Sequence, residues 1–354
     1  MSLPEQFISI DEEGYPLFAE TRVTDPLVGA QILSQLRFAE NTSFMTDVGT
    51  SQALVEPFDE PLVAQMIEAS AEDFQAWTAQ FPFDVKFHFF LESLTVDEWD
   101  RFHGLTEKGM PFVLSRKAQA AFFDALEEFD DDSISYGGKK FPVRPWLTAP
   151  TDDVRKDSFW TNIYQTEEPG WELNRPAPAL VDMLPRLKFP KSRVLVLGCG
   201  SGNDAAFFAA HGHVVTAVDF SAEAIERGKQ KYGHLANLTF IEKDIFKLEA
   251  SWTHQFDVIF EHTCYCAIPP ERRNEIVSLW RRLLAPGGQL LGVFFAMERR
   301  NGPPFGGSEW ELRERLKKYF HFQFWGRWHQ SEDRRMGKEF FVFGTKRSDI
   351  ATQK

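Results

Sequence analysis

The run VLVLGCGSGND at 194–204 constrains this chain more than any other segment. Its four leading apolar residues suit a strand buried on both faces of a parallel sheet. The glycines that follow permit a tight turn and let a ligand approach the backbone closely. An Ala- and Phe-rich helix is expected next, over 204–211. The alternation continues with strands at 214–218, 238–241, 256–260 and 289–295. Helices fall at 221–232, N-capped by Ser221, at 271–284, ended by Pro286-Gly287-Gly288, and at 309–319. Segments 322–328 and 338–345 close the pattern as a hairpin. Such repeats imply an α/β, Rossmann-like domain whose mostly parallel sheet is covered on both faces. Ligands bind such sheets at the carboxyl ends of the strands. Asp219 stands there, able to take two ribose hydroxyls, and Asp244 follows the third strand, able to meet an adenine amino group. The glycine spacing is GxGxG rather than GxGxxG, which fits a pyrophosphate-bearing dinucleotide poorly. A purely structural turn is the other alternative.

The 354 residues leave room for more than this domain. Residues 1–149 are acidic and Phe-rich, and a Pro-rich stretch, FPVRPWLTAPTDD (141–153), separates them from 150–354. In the first region strands are expected at 7–10, 15–19 and 53–55. Helices are expected at 25–36, with Asp25 as N-cap and Pro26 behind it, and at 61–69, 96–103 and 117–129. The Asp97-Glu98 pair suits the positive end of the third of these helices, and the acidic run 127–132 suits a solvated helix end. This mixed α+β domain carries no visible nucleophile, base or metal constellation. Its expected role is structural, a lid, or a surface for self-association or protein contact.

Composition excludes several functions. The net charge of -13 argues against nucleic acid, which needs a basic footprint. The three cysteines, Cys199, Cys264 and Cys266, form no disulfide framework and no pair of metal-ligand pairs; small buried or pocket-lining residues are expected instead. The first residues show no leader pattern, and no run approaches the ~20 apolar residues of a membrane span. A soluble, cytoplasmic protein without membrane or nucleic-acid partners is expected.

Five segments together resemble the thiopurine, thiol and halide methyltransferase family over about 157–346. They are the glycine loop with its acidic strand end, FWTNIYQTEEPGWELNRPAPAL (159–180), FEHTCYCAIPPERR (260–273), LLAPGGQLLGVFF (283–295) and NGPPF (301–305). The resemblance implies a class I methyltransferase fold: a seven-stranded, mostly parallel sheet with a C-terminal antiparallel hairpin. It also implies S-adenosylmethionine as cofactor, S-adenosylhomocysteine as product, and a small-molecule methyl acceptor. Gly198, Gly200, Asp219, Asp244 and Ile245 would hold the cofactor. Trp160, Tyr164 and Trp171 match the family's aromatic enclosure, Tyr164 standing where plant relatives usually carry Trp.

The chemistry of the residues agrees. Aromatic faces attract a sulfonium cation by roughly 0.5–2 kcal/mol each, though core packing is the plainer use of such residues. Methyl transfer needs alignment and exclusion of water more than acid-base help, and a thiol or halide needs least. His262 follows the fourth strand where plant relatives usually carry Tyr. It is read as a cofactor or pocket contact, as a base toward a thiol, or as structural. Trp171, Tyr265, Phe294 and Phe295 are candidate substrate walls, the last three equally suited to the core. Arg299 and Arg300 suit either an acidic substrate or exposed charge. The leading expectation is S-methylation of a thiol or thiopurine-like nucleophile. The alternatives are O-, N- or metalloid methylation (tellurite or selenium species), or a cofactor-binding regulatory or scaffold protein.

Overall fold

The computed structural model describes residues 6–39, 43–70, 76–130, 132–146, 154–166, 169–297 and 302–348. The chain divides into two compact units, 1–148 with Ser308–Glu311, and 149–307 with 312–354.

The first unit is rich in β-structure. Gln6–Ile10 pairs antiparallel with Pro16–Phe18 and parallel with Ser51–Pro57 inside a six-stranded sheet. Its described helices are Pro26–Ser34, capped by the Asp25 carboxylate, and Arg116–Ala125, capped by Ser115. A Phe- and Trp-rich core lies between these elements, with Trp77 in edge contact with Phe122 at 5.3 Å.

Two expected helices are strands. Segment 61–69 forms Leu62–Ala64 and Met66–Ala69. All of Leu62–Ala64 is buried, and it pairs parallel with Phe112, Val113 and Leu114. A short apolar run fits either secondary structure until its partner is known. Segment 96–103 forms Thr95–Val96 and Phe102–Leu105, joined by a turn. Asp97 does not start a helix. Its Oδ1 accepts from the backbone of Trp99 (2.9 Å) and Arg101 (3.0 Å), closing a local turn in the way that makes Asp compete with helix. The acidic run is likewise no helix end. The helix stops at Ala125, and Glu128–Asp130 enters a hairpin with Ser133–Tyr136.

Around Asp97 the unit buries an ionic cluster. His103 is 2% exposed, with Nδ1 2.8 Å from Glu60 and Nε2 3.2 Å from Asp97. Arg101 bridges Asp97 and Asp59. Both ring nitrogens face carboxylate oxygens, so His103 is an imidazolium. Burial works against that charge, but the bonds to Asp97 and Glu60 push its pKa up to about 9. Burial also opposes the charge on Asp97, yet His103 and Arg101 hold its carboxyl at about 2.

The second unit carries the seven-stranded sheet expected from the sequence. Its strands are β1 (Arg193–Leu197), β2 (Val214–Asp219), β3 (Leu238–Glu242), β4 (Phe256–His262), β5 (Leu284–Phe295), β6 (Phe320–Arg327) and β7 (Glu339–Lys346), in the order β3-β2-β1-β4-β5-β7-β6. Strands β1 to β5 run parallel, and β7 is antiparallel to both β5 and β6. The helices are α1 (Asp157–Thr166), α2 (Pro178–Leu187), α3 (Asn203–Ala210), α4 (Ala222–Tyr232), α5 (Arg273–Leu283) and α6 (Glu309–Leu316). One boundary differs from expectation. α5 ends at Leu283, and Leu284 already pairs with Phe256, so Pro286-Gly287-Gly288 lies inside β5 where the pairing shifts register.

Apolar side chains on both faces of the sheet hold this unit together. Ala205, Phe208 and Ala209 of α3 pack with Val194, Val196 and Phe260 on one face, and Ile276, Val277 and Trp280 of α5 pack with Leu195 and Ile259 on the other. Each large side chain buried in this way contributes roughly 1.5–3 kcal/mol. The consequence for function is positional: the ends of β1, β2 and β4 lie side by side and bring the glycine loop, Asp219 and His262 to one edge. No described helix is long and apolar enough to cross a membrane.

Candidate active site

The glycine loop is held open by what lies against it. Gly198 has φ +61°, and a Cβ there would meet the Cys264 side chain at 2.6 Å. Gly200 has φ +52°, and a Cβ there would meet Glu172 Oε1 at 2.6 Å and the Tyr164 hydroxyl at 2.8 Å. Both positions require glycine for conformation and for space.

Asp219 ends β2 with its side chain turned into the loop. Oδ2 accepts from Gly200 N at 2.9 Å and Oδ1 from Ser221 N at 2.9 Å. Burial pushes its pKa up, and those two N–H donors work to keep it ionised. Ser221 caps α4 as expected.

Glu172 is a site residue the sequence reading missed. Its Oε1 accepts from Ser201 N (3.0 Å) and from the Tyr164 hydroxyl (3.1 Å). Its Oε2 accepts from Ser201 Oγ (2.8 Å) and Asn203 Nδ2 (3.0 Å). β1 ends in apolar residues only, so the carboxylate on the loop comes from the segment before it. Its adjacency to Trp171 was the one available signal.

The three aromatics form a cluster. Trp171 stands edge-on to Trp160 at 5.4 Å and to Tyr164 at 5.8 Å, and its indole N–H donates to the Tyr164 hydroxyl at 3.1 Å. Trp160 donates to the carbonyl of Val154 (2.8 Å). Tyr164 is 3% exposed, and burial drives its pKa upward, so it acts as a neutral donor.

His262 ends β4 in a second network. Its Nδ1 lies 2.8 Å from Asp204 Oδ2, and its Nε2 lies 3.0 Å from Arg335 Nη1. Arg335 also donates to Glu339 Oε1 (3.2 Å) and to the carbonyl of Trp171 (2.7 Å). Its guanidinium sits 5.3 Å from the Phe295 ring centre. Asp204 Oδ1 accepts from Ala177 N at 2.7 Å. Burial opposes a charge on His262, but Asp204 outweighs it and the net shift of its pKa is upward.

Other predicted residues lie apart from this centre. Tyr265 and Phe294 are 5% and 2% exposed and pack with Trp280 in the core beneath α5. Asp244 caps a single helical turn through Phe246 N and pairs with Lys247, and Ile245 is buried in that turn. Arg299 and Arg300 lie outside the described residues. No metal-binding group of three or more ligands occurs among the described residues.

Residues 155–341 match the family model for thiopurine S-methyltransferase. A probable thiol methyltransferase 2 of Arabidopsis thaliana is 33% identical over 161 residues, covering 44% of this chain and 70% of that protein. Thiocyanate methyltransferase 1 of the same organism is 28% identical over 185 residues, covering 51% and 80%. A thiopurine S-methyltransferase of Shewanella loihica is 25% identical over 183 residues, covering 47% and 84%.

Proposed function

The chain belongs to the thiopurine S-methyltransferase family, and on that premise we propose that it methylates a thiol or a related soft nucleophile on a small molecule. It is an S-adenosylmethionine-dependent methyltransferase.

The residues present suit this cofactor. The loop at Gly198 and Gly200 leaves no room for side chains and exposes backbone to a ligand. Asp219 offers a carboxylate suited to ribose hydroxyls. Trp160, Tyr164 and Trp171 offer aromatic edges and faces, and Glu172 a negative charge, to a cationic group. When bound, the cofactor supplies a methyl group activated on positively charged sulfur. The protein's part is to align, to exclude water and to manage one proton.

The observation that carries the acceptor class is the Asp204–His262 pair. It is the one imidazole beside the loop, oriented by a carboxylate. A weak base of this kind suffices for a thiol, whose ordinary pKa is ~8.5, and suits an alcohol poorly. The printed names of the relatives, thiol, thiocyanate and thiopurine methyltransferases, support the same reading.

Incubating the full chain with methyl-labelled cofactor and a panel of hydrosulfide, alkyl thiols and thiopurines tests it. Labelled thioether is expected. Cofactor binding with no methylated sulfur from any panel member overturns the thiol assignment.

A further inference from the structure

The charge balance around the glycine loop bears on which nucleophiles can approach, and the inference rests on the loop being the methyl-transfer site. Four carboxylates converge there. Glu172 lies on the loop, Asp219 accepts from Gly200 N, Asp204 faces His262, and Glu339 faces Arg335. Against them stands one guanidinium, Arg335, which is 4% exposed and already bonded to Glu339, the Trp171 carbonyl and His262. Other nearby cations are committed elsewhere. Arg227 binds Glu223 and the Tyr164 carbonyl, Lys231 binds Asn203 Oδ1, and Arg273 binds the carbonyls of Phe305 and Gly306. A protonated His262 and a bound sulfonium together still leave the balance negative.

The loop's own thiols register that field. Burial, then Asp219, Glu172 and Asp204, drive the Cys199 thiol well above its ordinary pKa. Burial, Glu261 and Asp219 do the same to Cys264. A sulfur brought among these groups keeps its proton, and an anion brought there is repelled.

We propose that the acceptor is an uncharged or cationic thiol that enters as S–H, and that preformed anions such as halide, thiocyanate and carboxylated thiols are poor acceptors. The acceptor's S–H bond breaks with its electron pair left on sulfur. The proton passes to Nε2 of His262, which gives up its bond from Arg335 while Nδ1–H stays on Asp204. The sulfur pair forms the new S–CH3 bond, and the pair of the broken methyl–sulfonium bond remains on the cofactor's sulfur.

Three small thiols that differ in charge test this with the full chain: cysteamine, 2-mercaptoethanol and mercaptoacetate, alongside iodide and thiocyanate. The readout is kcat/KM for methylated product at saturating cofactor, each normalised to that nucleophile's reactivity with a methyl donor in free solution. Cysteamine and 2-mercaptoethanol are expected to lead, with mercaptoacetate, iodide and thiocyanate at least about tenfold slower. Asp204→Asn is expected to narrow the gap between 2-mercaptoethanol and mercaptoacetate. Mercaptoacetate or thiocyanate matching 2-mercaptoethanol overturns the charge inference and leaves the methyltransferase reading standing. If nothing is methylated while S-adenosylhomocysteine still binds by calorimetry, the thiol reading fails and this inference fails with it.

Discussion

Nε2 of His262 lies 3.0 Å from Nη1 of Arg335. Arginine has only donors, so the imidazole must present a lone pair there and carry its proton on Nδ1, toward Asp204. His262 is thus a neutral base in its resting form, with its accepting nitrogen covered by a guanidinium. Protonating it breaks that bond, and Arg335 also holds the Trp171 carbonyl. The protonation state of His262 is therefore tied to the placement of the aromatic segment.

Asp204 raises the pKa of His262, so removing its charge lowers that pKa. A base is active when deprotonated. In Asp204→Asn the rising limb of kcat/KM against pH, measured with a neutral thiol, moves to lower pH, and the plateau falls by roughly 10²-fold. An unmoved limb would show that His262 does not take the proton.

Glu339 is 1% exposed and its charge is matched by Arg335. Arg335→Gln leaves it unpaired in the interior, a loss of about 3–5 kcal/mol. Urea denaturation of the full chain reads this directly. Arg335→Lys restores the charge without the fork that reaches His262, Glu339 and Trp171 together, so it recovers stability better than kcat.

A methyl at position 200 collides with Glu172 and adopts an unfavourable φ. Gly200→Ala is expected to weaken S-adenosylhomocysteine binding by at least about tenfold in calorimetry, with the thermal transition changed by roughly the cost of one strained residue, ~1–3 kcal/mol. Unchanged affinity would place the cofactor away from the loop.

In the first unit the folded pKa of His103, about 9, lies above its ordinary value of 6.5. Its contribution is fully present below pH ~6.5 and is lost as pH rises through about 9, a change on the order of 3 kcal/mol. Asp97, held at about 2, contributes above its ordinary 3.8 and loses that contribution as pH falls through about 2. Denaturation at pH 6 and pH 10 should show the alkaline loss in the native chain and little of it in His103→Gln.

The sequence exposed the second unit because local and global signals coincide there. A buried strand, a glycine turn and an acidic strand end lie contiguous in the chain, and each reads correctly alone. The first unit gave weaker signals. Leu62–Ala64 carries no period that separates strand from helix, and Asp97 resembles an N-cap although it closes a turn and binds His103. At the site, Asp219 was legible from its spacing. Asp204 was read only as part of a helix, and Arg335, 73 residues beyond His262, only as part of a hairpin loop. Their pairing with His262 is set by the sheet order, which places β4 beside β1 and sends the β6–β7 connection back to the same edge.

The most direct test is transfer of an isotopically labelled methyl from S-adenosylmethionine to 2-mercaptoethanol, followed by mass spectrometry. The account predicts labelled methyl thioether and S-adenosylhomocysteine in equal amounts, with saturable kinetics that collapse in Asp219→Ala. Tight cofactor binding with no labelled thioether from this or any other neutral thiol would contradict it.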